Sequence, residues 1–208
     1  MRTCTRARRL SGVLALLAAL IGLTPLYAQS VPSEETVRTV RRMLERLPYY
    51  GVFDFLAFSV DRGTVTLVGY SFQGNLKADA EMAVKRASGV DEVANRIEQL
   101  PTSLDDDRIR WATFYRIYTD DFLSRYAPGG VREVLRELRD ERHFPGMQPV
   151  GLYPIHIIVK NGRTMLLGAV DSAADRQLAE VRAREVNGVF GVDNGLSVAR
   201  QQQKRSGQ

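Results

Sequence analysis

Cysteine is almost missing: of 208 residues one is cysteine, Cys4, and it lies ahead of the apolar run of the leading segment. Behind that run there is no thiol, which excludes internal disulfides and thiol catalysis there. Histidine is nearly as scarce, with His143 and His156 alone and no pair at His-x-x-x-His spacing. A dedicated transition-metal site is therefore not expected, nor is a cofactor. Gly-x-Ser-x-Gly is absent and the glycines punctuate turns, so neither a serine-nucleophile elbow nor a phosphate-binding loop is indicated. A long membrane-crossing run is missing as well, since the uncharged stretch Leu10 to Leu23 is short of the roughly 20 residues a spanning helix needs. An excess of one charge is also lacking where it would count. The net charge is +5, but Arg2, Arg6, Arg8 and Arg9 all sit in the leading segment, and the rest of the chain is close to neutral. That excludes a global electrostatic attraction to nucleic acid. No catalytic constellation and no small-molecule substrate are indicated.

What the chain has instead is a repeat. Adding 99 to the residue numbers between Gly63 and Ile97 lands, without a gap, on matching residues between Gly162 and Leu196. Gly63 maps to Gly162, Gly69 to Gly168, Lys77 to Arg176, Glu81 to Glu180, Gly89 to Gly188 and Asn95 to Asn194, with the apolar positions between them in step. Such self-similarity marks a duplicated structural unit.

Each copy reads as the same elements. Phe55 to Val60 and Ile155 to Val159 are short and β-branched or aromatic. Arg62-Gly63 and Asn161-Gly162 supply two-residue hairpin turns, and Thr64 to Ser71 and Arg163 to Val170 return. Leu76, Ala80, Ala83, Val84 and Ala87 then recur at helical spacing, closed by Gly89, as Gly188 closes the second helix. Val93, Asn95 and Ile97, like Val192, Asn194 and Leu196, alternate as a strand. With a helix in front, Glu34 to Leu47 with Ser33 as N-cap, the unit is α-β-β-α-β. The fold class is α+β: two tandem modules, each a small mixed sheet with helices packed on one face. Asn95 and Asn194 occupy apolar strand registers and read as structural amides closing backbone groups near the helix C-terminus. Lys77 and Arg176 read as solvated helix charges.

Through the strand-end Gly69 and Gly168, the basic Lys77 and Arg176, and the closing Gly-Val-x-x-Val-x-Asn-x-Ile/Leu of residues 89–97 and 188–196, the chain resembles the BON domain, the bacterial module of osmotically induced and nodulation proteins. The resemblance implies a non-catalytic binding or adaptor protein of the cell envelope. It would associate with a phospholipid surface or with envelope components, in osmotic or envelope-stress protection.

Taken in order, residues 1–28 have a basic start, an apolar run, Pro25 and Ala28, the form of a secretory signal peptide, with an uncleaved membrane anchor as the alternative. A periplasmic or envelope location follows from either. Residues 29–101 form the first module, ending at the linker Leu100 to Ser103, and residues 102–199 form the second. The latter opens with Asp105 to Asp107, which suits a helix N-terminus. Its helix is expected to run to about Ser124, carrying Trp111, Phe114, Tyr115, Tyr118 and Phe122 as one aromatic stripe. That stripe is either the face packed on the sheet or, with Arg116 and Arg125 beside it, a lipid- or partner-binding surface of Trp111, Tyr115, Arg116, Tyr118 and Arg125. Residues 127–153 are an insertion, with an amphipathic helix from Val131 to His143 that covers the module or binds a partner. Residues 200–208 are expected to be disordered. A periplasmic chaperone-like or a secretion-assembly protein acting through protein contacts is the alternative function. Oligomeric state is left open.

Overall fold

The computed structural model describes residues 34–139 and 147–199. The signal-like segment, Ser33, His143 and the tail lie outside the described residues. Each repeat folds as the alternation dictates. In the first, α1 (Glu34–Glu45) precedes the hairpin β1 (Phe55–Asp61) and β2 (Thr64–Ser71), followed by α2 (Leu76–Lys85) and β3 (Glu92–Gln99). The second contains α3 (Leu104–Tyr118), a 3-10 turn (Leu123–Tyr126), α4 (Val131–Arg139), β4 (Ile155–Lys160), β5 (Arg163–Val170), α5 (Ala173–Arg184) and β6 (Gly191–Val198). Two mixed three-stranded sheets result, ordered β1-β2-β3 and β4-β5-β6, each with an antiparallel hairpin and a parallel third strand reached through the helix. Both turns take left-handed backbone, at Arg62 and Gly63 and at Asn161 and Gly162, as a type I′ hairpin requires.

Strand period two sorts the side chains. Val65, Leu67 and Ile97 face the first pair of helices, and Ile155, Ile157, Val159, Leu166 and Leu196 face the second. Gly69 and Gly168 sit where the strands close up: a Cβ there would fall 2.0 Å from the Phe55 carbonyl oxygen and 2.1 Å from that of Pro154. Asn95 and Asn194 repeat one set of bonds. Asn95 Nδ2 donates to the Lys77 carbonyl at 2.8 Å and to Glu81 at 3.1 Å, and its Oδ1 accepts the Ile97 N–H at 3.1 Å. Asn194 does the same with Arg176, Glu180 and Leu196. These amides tie strand to helix near the helix's first turn, not at its C-terminal end, because Lys77 and Arg176 stand where the helix crosses the third strand.

The helix at the head of the second module ends at Tyr118, six residues before Ser124. Thr119 turns its hydroxyl back onto the Tyr115 carbonyl, and Asp120 Oδ1 accepts the N–H groups of Phe122 and Leu123, so local side-chain bonds outcompete the next helical turn. Its start is capped by Ser103, whose hydroxyl accepts from Asp106 N–H. The three aspartates that follow have separate partners: Asp105 pairs with Arg108, Asp107 with Arg110, and Asp106 accepts the N–H groups of Asn161 and Gly162 in the hairpin turn.

The two modules do not hang on their linker. Val52 N–H donates to the Pro149 carbonyl at 3.1 Å, Gly151 N–H to that of Tyr50 at 3.0 Å, and Gly51 bridges Val150 antiparallel. A shift of 99 turns each of these contacts into the other. The seam is therefore isologous, with a local pseudo-twofold axis between Gly51 and Val150.

Candidate functional site

The five residues of the aromatic and arginine set do not share one surface. Helical spacing puts Trp111, Phe114 and Tyr118 on a single flank of α3, and that flank is covered. Tyr118 is fully buried, and its hydroxyl donates to the Ile155 carbonyl at 2.5 Å and accepts the Ile155 N–H at 3.2 Å. Trp111 is half-buried, edge-on to Phe53 at 5.5 Å and to Phe114 at 5.7 Å. Arg125 is held by Asp175 at 2.5 Å and lies over the Tyr126 ring. Tyr115 is 49% exposed, Arg116 meets Glu185 only at 4.0 Å, and Phe122, beyond the helix end, is 66% exposed. The stripe thus splits into a packed flank and an open patch at the C-terminal end of α3.

Tyr153 of the same module covers Phe114 and Tyr118, and the rest of the cover, over Trp111 and Phe114, comes from the other module. Phe53, fully buried, stands between Phe72, Trp111 and Phe114 at centroid distances of 5.6, 5.5 and 6.4 Å, and with Val52 it belongs to the core of the second module. Beside it Asp54 is buried without an ion-pair partner among the described residues. Its Oδ1 accepts from Phe72 N–H at 2.6 Å, and its Oδ2 accepts from Gly51 N–H at 3.1 Å and from the Gln148 side chain. Gln148 completes the knot by accepting from Phe53 N–H at 2.9 Å and donating to the Tyr49 carbonyl at 3.0 Å. Burial pushes the Asp54 carboxyl up to about 6, with those N–H donors opposing the rise. On the far side His156 is enclosed by Tyr50 and Phe55, with ring centroids 5.5 Å away in each case, and burial pushes it down to about 4.

Sequence reasoning missed this seam. Its one visible signal is an acid, Asp54, set inside the otherwise apolar Val52-Phe53-Asp54-Phe55.

Against the first module the seam leaves a groove of about 750 Å³ running along β1, between α1 and the return segment of the second module. Val37, Arg41, Leu44, Phe58, Val60 and Leu152 are among its walls. Close to the seam in sequence, Tyr49, Met147, Val150 and Leu152 are about half exposed or more. The inserted helix α4 buries Val134 and leaves Val131 and Leu135 partly exposed. Among the described residues no group of three potential metal ligands occurs, and no helix is long and apolar enough to cross a membrane.

The sequence model of the BON domain matches residues 38–101 and 132–200. The second match begins inside α4, although the helix that lies against α5, as α1 lies against α2, is α3. No curated protein matches the chain. Among solved structures it is similar to the C-terminal domain of CdsD, a structural protein of the type III secretion system of Chlamydia trachomatis. The identity is 14%, with 81% of this chain and all of that chain covered, at a TM-score of 0.25. A second CdsD structure matches at 14% identity, covering 79% of this chain and 93% of that one, also at a TM-score of 0.25. Likeness at that level carries no functional argument.

Proposed function

The chain belongs to the BON domain family, whose members are generally non-catalytic and associated with the cell envelope, and on that premise we propose that it is an exported adaptor contacting a phospholipid surface through the open patch at the C-terminal end of α3. The observation that carries this reading is the exposure of Tyr115, of Arg116, which meets Glu185 only at 4.0 Å, and of Phe122 four residues past the helix end. Aromatic rings favour the headgroup boundary, where one end is apolar and the other wet, and an arginine next to them adds attraction to anionic lipid. Trp111 and Tyr118 drop out of the contact surface and serve to hold α3 in place.

Cosedimentation of residues 29–208 with vesicles tests it. Binding to anionic vesicles should exceed binding to zwitterionic ones and weaken as salt rises from low to physiological. The double variant Tyr115→Ser, Phe122→Ser should bind at least about fivefold more weakly, since each ring withdraws on the order of 1 kcal/mol or more of apolar transfer. Trp111 emission should not move on binding, because its ring is already packed. Absence of sedimentation with either vesicle would refute the lipid reading.

A further inference from the structure

The repeat permits a comparison that neither module offers alone. In a two-residue hairpin the residues flanking the turn form a hydrogen-bonded pair, so pairing alternates outward from it. In β4 this turns the backbone of Ile155, Ile157 and Val159 to the open edge. In β1 it turns out their images Leu56, Phe58 and Val60.

The protein closes the β4 edge itself. The Tyr118 hydroxyl takes both groups of Ile155, the Val52 carbonyl takes the Ile157 N–H at 2.8 Å, and the buried Arg110 donates to the Val159 carbonyl at 2.5 Å. On β1 the Tyr50 hydroxyl approaches Leu56 N–H, while Phe58 and Val60 have no edge partner among the described residues.

The helices explain the difference. Thr36 faces Gly89 as Ile109 faces Gly188, which fixes the correspondence of α1 with α3; Val40 and Leu44 then match Thr113 and Ile117, all buried. On the same correspondence Arg110, Phe114 and Tyr118 have Val37, Arg41 and Glu45 as counterparts, and all three line the groove. Neither Val37 nor Glu45 can donate to an edge carbonyl. The pseudo-twofold image of Phe53 is Leu152, which also lines the groove but is 56% exposed. So the place that an extended segment and its phenylalanine fill in the second module stands open in the first, beside an unpaired strand edge.

We propose that the groove along β1 is a docking site for an extended segment of a partner protein, which adds as a strand to the β1 edge and seats an aromatic anchor against Val37 and Leu44. The occupant's chemistry is read from the filled image site: Val52-Phe53, an extended apolar segment with one aromatic plug. Main-chain bonds to Phe58 and Val60 would supply register and the groove would select the anchor. Arg41 and Glu45, without ion pairs among the described residues, offer one charge of each sign to the flanks of the entering strand. This site is separate from the lipid patch and stands or falls without it.

The test uses residues 29–208 and a labelled peptide of residues 49–55 carrying two extra lysines, read by fluorescence anisotropy and by amide exchange. Saturable binding with slowed exchange at Phe58 and Val60, and unchanged exchange at Ile157, is the expected result. The double variant Val37→Arg, Glu45→Tyr, which copies the second module's own closing residues, should bind at least about tenfold more weakly while keeping the wild-type unfolding temperature. Should it fail to fold, Val60→Pro serves instead, removing an outward N–H that the β1–β2 ladder does not use. Absence of binding at millimolar peptide, equal affinity of the closed variant, or equal affinity of a peptide N-methylated at alternate residues would overturn the proposal. So would loss of protection at Ile157, which would mean the peptide invades the seam.

Discussion

Replacing Phe53 with alanine is expected to cost about 3–5 kcal/mol, the range for truncating a fully buried aromatic ring, and to destabilise both repeats at once. Phe53 belongs by sequence to the first module and by packing to the core of the second, where three aromatic rings surround it. A domain of this size has about 5–15 kcal/mol in total, so the loss is visible as a large fall in urea midpoint. Leu152→Ala, the same truncation at the pseudo-twofold image, removes a side chain already 56% exposed and should stay within about 0.5 kcal/mol. Urea unfolding of the two variants measures the difference. Equal and small effects would mean that Phe53 is a surface contact between two independent domains.

The second large effect concerns pH. The Asp54 carboxyl is pushed from 3.8 up to about 6 by burial, so the native state holds its proton more tightly than the unfolded chain. Its contribution is present in full below about pH 3.8 and is lost as pH rises through 6, a swing of about 3 kcal/mol. His156 runs the other way. Burial takes it from 6.5 down to about 4, so its contribution is present above about 6.5 and is lost as pH falls through 4, again by about 3 kcal/mol. The two windows overlap and the slopes oppose, which leaves the seam nearly indifferent to pH between 4 and 6.5.

Single substitutions should expose each arm. Relative to wild type, Asp54→Asn should lose stability progressively as pH is lowered from 6.5 to 4. His156→Phe should lose it as pH is raised over the same range. Carboxylates held low by other partners, such as Asp193 beside Arg163, are common to all three proteins and cancel in the comparison. Denaturant unfolding at pH 4, 5, 6 and 7 supplies the values, and parallel profiles for the three proteins would refute the assignment.

The elements were legible because their causes are local. The offset of 99 residues, the Asn161-Gly162 turn and the alternation of Val192, Asn194 and Leu196 each carry their own signal, and the structure places a turn or strand at each. The aromatic stripe was not resolved, because helical spacing fixes which side chains share a flank and not what lies opposite it. Trp111 and Phe114 are covered by Phe53, more than fifty residues earlier, and Tyr118 by Tyr153 and Ile155, more than thirty residues later, while Tyr115, a single residue along from Phe114, remains open. The helix end escapes the periodicity for a related reason: Thr119 and Asp120 look unremarkable in the sequence, yet their side-chain bonds stop α3 at Tyr118. The seam depends on pairing between residues 50–52 and 149–151, a contact with no periodicity to announce it. The open β1 edge becomes visible only when the two repeats are compared residue by residue in three dimensions.

The claim on which the rest depends is that the pseudo-twofold seam makes one folded body of the two repeats. Amide exchange along the chain in increasing urea tests it most directly. Strands β2 and β3 of the first module and β5 and β6 of the second should lose protection at a common urea concentration, with the Val52 and Gly151 amides following the same curve. Two separate transitions, with those seam amides exchanging freely before either, would contradict the account and return the chain to two independent domains on a linker.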